Sequence, residues 1–163
     1  LLYQFLNHKY ERVEVVFISH STQANRVNEN DFFKVATHGG TIISSCLDLQ
    51  LSVVEKEFHP NSWNIYTFQC SDGDNWPDDT GKTLMLAEKI RDFSQLFGYC
   101  EIDPSDEKSG WLEEARLSNV YERITNKQMK CVSISSKSDI WPAFKRLFGE
   151  RKTIVGESYG LGL

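Results

Sequence analysis

Apolar positions follow two different periods along the chain, and the two periods alternate. Runs rich in β-branched and aromatic residues predict strands, and apolar residues three or four positions apart predict helices. The predicted strands are residues 13–19, 63–70, 99–102 and 129–135. The predicted helices are residues 1–10, 43–58, 86–97, 112–124 and 139–148. Strands separated by helices imply an α/β fold with a mostly parallel sheet that helices cover on both faces.

The connections before the long helix at residues 43–58 carry local signals. Polar residues 21–27 predict a short antiparallel strand, and residues 28–34 predict a helical turn. The sequence His-Gly-Gly-Thr that ends at Thr41 breaks the chain, and Thr41 or Ser44 can cap the helix that follows.

Composition limits the classes of function. The 163 residues are 40% hydrophobic and 25% charged, as in a soluble globular protein. The net charge of -5 argues against a general nucleic-acid binder, and no apolar run approaches the roughly 18 residues of a membrane span. We predict one domain over residues 1–148 and a flexible tail over residues 149–163. The four cysteines form no CxxC pair, which favours free thiols in a cytoplasmic protein.

The candidate chemistry lies directly after the predicted strand at residues 63–70. Ligands of open α/β sheets collect outside the carboxyl ends of the strands. There, Asp72 and Asp74 offer the hard oxygen ligands that suit Mg²⁺ or Mn²⁺, and Thr41 offers a hydroxyl after the Gly-Gly turn. If neighbouring strands bring these loops to one edge, Thr41 and Asp72 share a metal. The alternative is a solvated turn, because Asp, Gly and Asn are turn residues in any case.

Other motifs fit less well. Gly81-Lys82-Thr83 lacks the first glycine of a P-loop. The pair Asp72-x-Asp74 after an apolar strand is similar to the nucleophile motif of haloacid-dehalogenase-type phosphatases, although Trp76 stands where that motif has Thr or Val. A Mg²⁺-dependent phosphatase with Asp72 as nucleophile is therefore the enzyme alternative. His20 and His38 can approach the same sheet edge, but scattered histidines are more often structural.

Several of these strings together resemble the YeaH/YhbH family of uncharacterised bacterial proteins. The most specific string is Ser-Asp-Gly-Asp-Asn-Trp at residues 71–76. The others are residues 13–18, 38–45, 63–66 and 138–144. The C-terminal part of that family is similar to a von Willebrand factor type A domain. The resemblance implies a three-layer αβα fold with a six-stranded, mainly parallel, Rossmann-like sheet.

The resemblance also implies a metal-ion-dependent adhesion site (MIDAS) on the upper sheet edge. Such a site is built from an Asp-x-Ser-x-Ser loop, a Thr from a second loop and an Asp from a third. By position, these imply Thr41 and Asp72, with Asp74 in a supporting role. The implied function is a protein-interaction module rather than an enzyme, in which the metal accepts a carboxylate from the partner. The resemblance further implies stress-response or sporulation settings and a functional link to a PrkA-type serine protein kinase.

One departure from the family pattern has consequences for both site and fold. No Asp-x-Ser-x-Ser occurs in the chain, which starts without Met in an apolar helix and is expected to be a fragment of a longer protein. The fragment is then expected to lack the central first strand of the sheet and to bind metal weakly or not at all. Because unpaired strand edges are unfavourable, we expect a homodimer, strand exchange or rearrangement to close the gap.

Overall fold

The computed structural model describes residues 2–34, 41–102 and 116–149. Its helices are α1 (Leu2–Lys9), α2 (Glu29–Phe32), α3 (Ile43–Glu57), α4 (Thr80–Phe93), α5 (Leu117–Glu122) and α6 (Ile140–Phe148). Its strands are β1 (Phe17–His20), β2 (Ala24–Val27), β3 (Ile65–Ser71), β4 (Ser94–Ile102) and β5 (Met129–Ile134). Short 3-10 turns at Pro77–Asp79 and Lys137–Asp139 lead into α4 and α6.

The strands form two separate sheets within the described residues. β3, β4 and β5 lie side by side in that order and are parallel, whereas β1 and β2 form an antiparallel hairpin of their own. β4 pairs on both sides, and β3 pairs with β4 alone among the described strands. The predicted α/β fold with a parallel sheet and intervening helices is thus confirmed at this level. The von Willebrand factor A type of that fold stays a prediction.

Helices cover both faces of the three-stranded sheet. On one face, α3, α4 and α5 enclose the main core, in which Phe97 and Tyr99 of β4 are fully buried. On the other face, α6 packs over a smaller cluster around Cys100 and Val132. The β1–β2 hairpin joins the main core through Ile18 and Ala24. The result is a layered arrangement in which both faces of β4 are buried.

The structure corrects several boundaries. The helix expected at residues 86–97 is α4, which begins at Thr80, and the strand expected at residues 99–102 is β4, which begins at Ser94. Phe97 was expected at the end of a helix, but α4 ends at Phe93 and Phe97 lies within β4. The hydroxyl of Ser94 donates to the carbonyl of Ile90 and closes the helix there. The strand expected at residues 13–19 begins only at Phe17, because its ladder extends no further than the four residues of β2.

The remaining elements have the predicted type. α1, α3, β3, β5 and α6 fall close to their expected ranges, and the predicted short antiparallel strand and helical turn are β2 and α2. His38, the first part of the helix expected at 112–124 and the tail after residue 149 lie outside the described residues. None of the helices described is both long and apolar enough to span a bilayer.

Candidate functional site

The site is built around the loop that follows β3, residues 72–76, which we call the acidic loop. The chain turns at Gly73, whose φ of 96° lies in the region that side chains disfavour. A Cβ at Gly73 would stand 2.8 Å from Oε2 of Glu101, the neighbouring residue on β4. The amide of Asp74 donates to Oδ1 of Asp72 over 3.2 Å, which holds the turn from within. Glycine is therefore required where the sequence turns from strand to acidic loop.

The acidic loop is bonded to the segment that begins at Thr41. The amide of Trp76 donates to the carbonyl of Thr41 over 3.2 Å. The side-chain oxygen of Asn75 accepts from the amide of Ile43 over 3.3 Å. The structure therefore brings the loops of two predicted site residues, Thr41 and Asp72, to one junction.

The start of α3 is capped from a distance, which corrects the expectation that Thr41 or Ser44 caps it. The N-cap residue is Ile42, which makes no side-chain cap bond. Instead, Oδ2 of Asp79 accepts from the amide of Ser44 and from the hydroxyl of Thr83, each over 2.8 Å. Asp79 thus ties α3 to α4 directly beside the acidic loop. An Asp directly before a helix predicts an N-cap, so the position of Asp79 indicates a cap for α4. Nothing in the sequence indicates that Asp79 caps α3.

The end of the β1–β2 hairpin lies at the same junction. The carbonyl of Ser21 accepts from the amide of Ile42 over 2.9 Å. Burial lowers the pKa of His20, and the nearby carboxylate of Asp72 opposes this effect. The expectation that His20 approaches this edge is confirmed, whereas His38 lies outside the described residues.

A network of buried polar side chains lies against the acidic loop. The sequence pattern does not predict this network. The hydroxyls of Ser71 and Tyr99 are 3.0 Å apart, and Tyr99 donates to Glu101 over 3.2 Å. The guanidinium of Arg116 donates to the Glu101 carboxylate over 2.7 Å. Ser71 also accepts from the amide of Gly73, so the network reaches the turn itself. The pKa of Tyr99 is raised, mainly by burial, and its hydroxyl stays a hydrogen-bond donor.

Three buried nitrogen atoms near this edge have no hydrogen-bond partner among the described residues. They are Nδ1 of His20, Nε2 of Gln69 and Nδ2 of Asn75. His20 ends β1, Gln69 lies on β3, and Asn75 belongs to the acidic loop. Buried polar groups without partners are costly, so an ordered water or protein outside the described residues is expected to bond to these atoms.

The predicted metal ligands form only part of a coordination shell. Asp72 and Asp74 are exposed carboxylates on one turn, and Thr41 is joined to that turn through its backbone. Within residues 2–34, 41–102 and 116–149, no three His, Cys, Asp or Glu side chains are grouped so that they hold a metal ion. Oxygen ligands fit Mg²⁺ or Mn²⁺, and Mg²⁺ commonly keeps several waters. Thr41, Asp72 and Asp74 therefore fit such an ion in type but need further ligands.

The fold and this junction define an α/β protein with a polar site at the carboxyl end of its parallel strands. Residues 1–151 match the family described as "Protein of unknown function (DUF444)". The chain belongs to that family, which agrees with the expected membership of an uncharacterised bacterial family.

Relatives from distant bacteria carry the same segment within longer proteins. The chain is 43% identical over 147 residues to a UPF0229 protein of Ruminiclostridium cellulolyticum, covering 90% of this chain and 36% of the relative. It is 43% identical over 155 residues to a UPF0229 protein of Legionella pneumophila, covering 94% and 36%. It is 41% identical over 152 residues to one of Pseudomonas aeruginosa, covering 93% and 35%. The chain thus spans about a third of the length of these relatives.

Proposed function

We propose that the carboxyl edge of the sheet is a MIDAS-type site that binds Mg²⁺ or Mn²⁺ and through it a protein partner. The observation that carries the proposal is the junction of the acidic loop with the segment at Thr41, made by the Trp76–Thr41 backbone bond. It joins a hydroxyl residue and two exposed carboxylates where ligands of α/β sheets collect. Asp72 and Thr41 would hold the ion, with Asp74 supporting the conformation of Asp72.

A further segment of the longer protein would complete the ligand set. The relatives are about three times as long as the aligned part, which leaves ample chain to supply it. The three unpartnered nitrogens of His20, Gln69 and Asn75 lie on elements around one edge and offer contacts for that segment. This supports an additional central strand between β1 and β3, followed by the first ligand loop, as in a von Willebrand factor A domain.

The position of α1 is consistent with such a segment. The ammonium of Lys9 and the hydroxyl of Tyr10 lie 3.0 Å and 2.7 Å from the hydroxyl of Tyr66 on β3. α1 has 8 residues and is therefore about 12 Å long. A segment preceding α1 in the longer protein would then lie within about one short helix length of Tyr66 on β3.

The proposed activity is binding rather than chemical turnover. A bound Mg²⁺ or Mn²⁺ would supply an open coordination position for a carboxylate of the partner. Trp76, the last residue of the acidic loop, is 58% exposed and would give the contact its apolar part. We further propose a PrkA-type serine protein kinase as the partner, in a stress-response or sporulation setting.

The test is capture of the kinase by the full-length protein with Mg²⁺ or with a chelator. We expect capture only with Mg²⁺, loss of capture in Asp72→Asn, and normal capture in the matched control Asp78→Asn. Asp78 is an exposed carboxylate on the adjacent 3-10 turn. Capture that is unchanged by both the chelator and Asp72→Asn contradicts the proposed site.

The same proteins test the enzyme alternative. Full-length protein is incubated with a generic phosphomonoester and Mg²⁺, and phosphate release is measured. We expect no turnover above the background of the assay. Turnover that Asp72→Asn abolishes and Asp78→Asn preserves contradicts the binding proposal and assigns Asp72 as a nucleophile.

A further inference from the structure

Two cysteines face each other across neighbouring strands, and the first of them lies two positions before the acidic loop begins. Cys70 on β3 is the direct register partner of Cys100 on β4. From this geometry we propose that Cys70 and Cys100 are a peroxide-sensitive thiol pair that closes to a reversible intramolecular disulfide. The proposal does not depend on metal binding.

The backbone already satisfies the distance that a disulfide requires. Neighbouring strands lie about 4.8 Å apart, and disulfides join residues whose Cα atoms are about 4.4–6.8 Å apart. Direct register partners also point to the same face of a sheet. Here that face is the one that α6 covers, where Cys100 packs with Val132 and Ala143. The strand spacing therefore places the Cα atoms of the pair within the range that a disulfide spans.

The two thiols differ in access, which assigns the order of events. Cys70 is exposed and Cys100 is buried beneath α6. Hydrogen peroxide reaches Cys70 first. The Cys70 sulfur attacks one peroxide oxygen, the O–O bond breaks, and Cys70 becomes a sulfenic acid while the other oxygen leaves as water with the thiol proton. The Cys100 sulfur then attacks the sulfenic sulfur, the S–S bond forms, and a second water carries away the hydroxyl and the thiol proton. In sum, two thiols and one hydrogen peroxide give one disulfide and two waters.

The other two cysteines of the chain serve as internal controls. Cys46 is buried and donates to the carbonyl of Ile43, and burial raises the pKa of its thiol to about 12. Cys131 faces Tyr99 across the sheet, and burial raises the pKa of its thiol to about 11. Both remain protonated near neutral pH, and neither has a cysteine as register partner.

The experiment is disulfide mapping of the full-length protein after treatment with stoichiometric hydrogen peroxide and a chelator, with remaining thiols blocked by N-ethylmaleimide. Trypsin separates the four cysteines into peptides 35–56, 57–82, 92–108 and 131–137. We expect peptides 57–82 and 92–108 to appear as one joined species whose mass is the sum of the two peptide masses minus two hydrogens. Dithiothreitol should separate them again. Absence of the joined peptides, or Cys70 found unmodified, overoxidised or joined to another cysteine, overturns the proposal.

Variants add a second, independent readout. In Cys100→Ala, peroxide is expected to leave Cys70 as a sulfenic acid that dimedone labels. In the control Cys131→Ala, peptides 57–82 and 92–108 are expected to join as in the wild-type protein. Loss of the joined peptides in Cys131→Ala, or no dimedone adduct at Cys70 in Cys100→Ala, contradicts the assigned pair.

Discussion

At the scale of single residues, Gly73 has the tightest surroundings in the site. Its φ of 96° strains any side chain, and an added Cβ would stand 2.8 Å from the Glu101 carboxylate that pairs with Arg116. We expect Gly73→Ala to lower the free energy of unfolding by about 2 kcal/mol or more, because it adds backbone strain and displaces a buried ion pair. Urea denaturation of the full-length protein measures this change.

Gly81 is the matched control for that substitution. It lies in the first turn of α4, and a Cβ there meets nothing within 4 Å. Gly81→Ala is expected to raise the free energy of unfolding by about 0.5 kcal/mol, because alanine loses less conformational entropy in a helix. Equal effects of the two substitutions would show that the turn at Gly73 is not formed as described.

Some residues of the candidate site could be proposed from the sequence, and others could not. Thr41, Asp72 and Asp74 stand out because their side chains suit a metal and their strings are specific. Asn75 and Asp79 were missed as structural partners of α3, because their bonds to Ile43 and Ser44 span more than thirty positions of sequence. Pattern alone does not reveal which amide a distant side chain caps.

At the scale of elements, Asp79 joins the starts of two helices. Its carboxylate accepts from the amide of Ser44 in α3 and from the hydroxyl of Thr83 in α4. We expect Asp79→Ala to destabilise the protein by about 1–2 kcal/mol, the usual cost of losing a helix cap. Thermal unfolding should show this loss, and the exposed neighbour Asp78, changed to Ala, should leave the midpoint nearly unchanged. If Asp79→Ala and Asp78→Ala had similar unfolding midpoints, the result would contradict the cap that Asp79 provides to α3.

The types of the elements were predictable because their periods are strong, whereas the boundary between α4 and β4 was not. The apolar run around Phe97 continues the helical spacing of Ile90 and Phe93, so periodicity alone extends the helix too far. The structure ends the helix at Phe93 because the hydroxyl of Ser94 bonds to Ile90 and the chain then pairs with both β3 and β5. Strand pairing is a tertiary effect that overrides the local period.

At the scale of the whole molecule, the division into two sheets is the feature with the clearest consequence. β3 has no strand on its second side among the described residues, and unpaired edges attract other strands. Residues 1–163 expressed alone are therefore expected to associate into dimers or larger species. Light scattering coupled to size exclusion measures their mass, and a monodisperse monomer would contradict this expectation.

The parallel sheet was predictable from the alternation of strands and helices, but the completeness of the site was not. Its remaining ligands are proposed to come from another part of a protein about three times as long as the aligned segment. The sequence of this segment therefore indicates the second and third ligand loops of the proposed metal site, and it leaves the first loop unassigned.

The central claim is that Thr41 and Asp72 bind one divalent cation at the carboxyl edge of the sheet. Titration of the full-length protein with Mn²⁺, followed by electron paramagnetic resonance of the free ion, tests it most directly. We expect one site whose affinity for Mn²⁺ falls at least about 10-fold in Asp72→Asn and in Thr41→Ala, because losing a ligand or a residue that holds a ligand in place weakens metal binding by about that factor. The affinity should change little in Asp78→Asn. Equal Mn²⁺ affinity in the wild-type protein, Asp72→Asn and Thr41→Ala would contradict the claim.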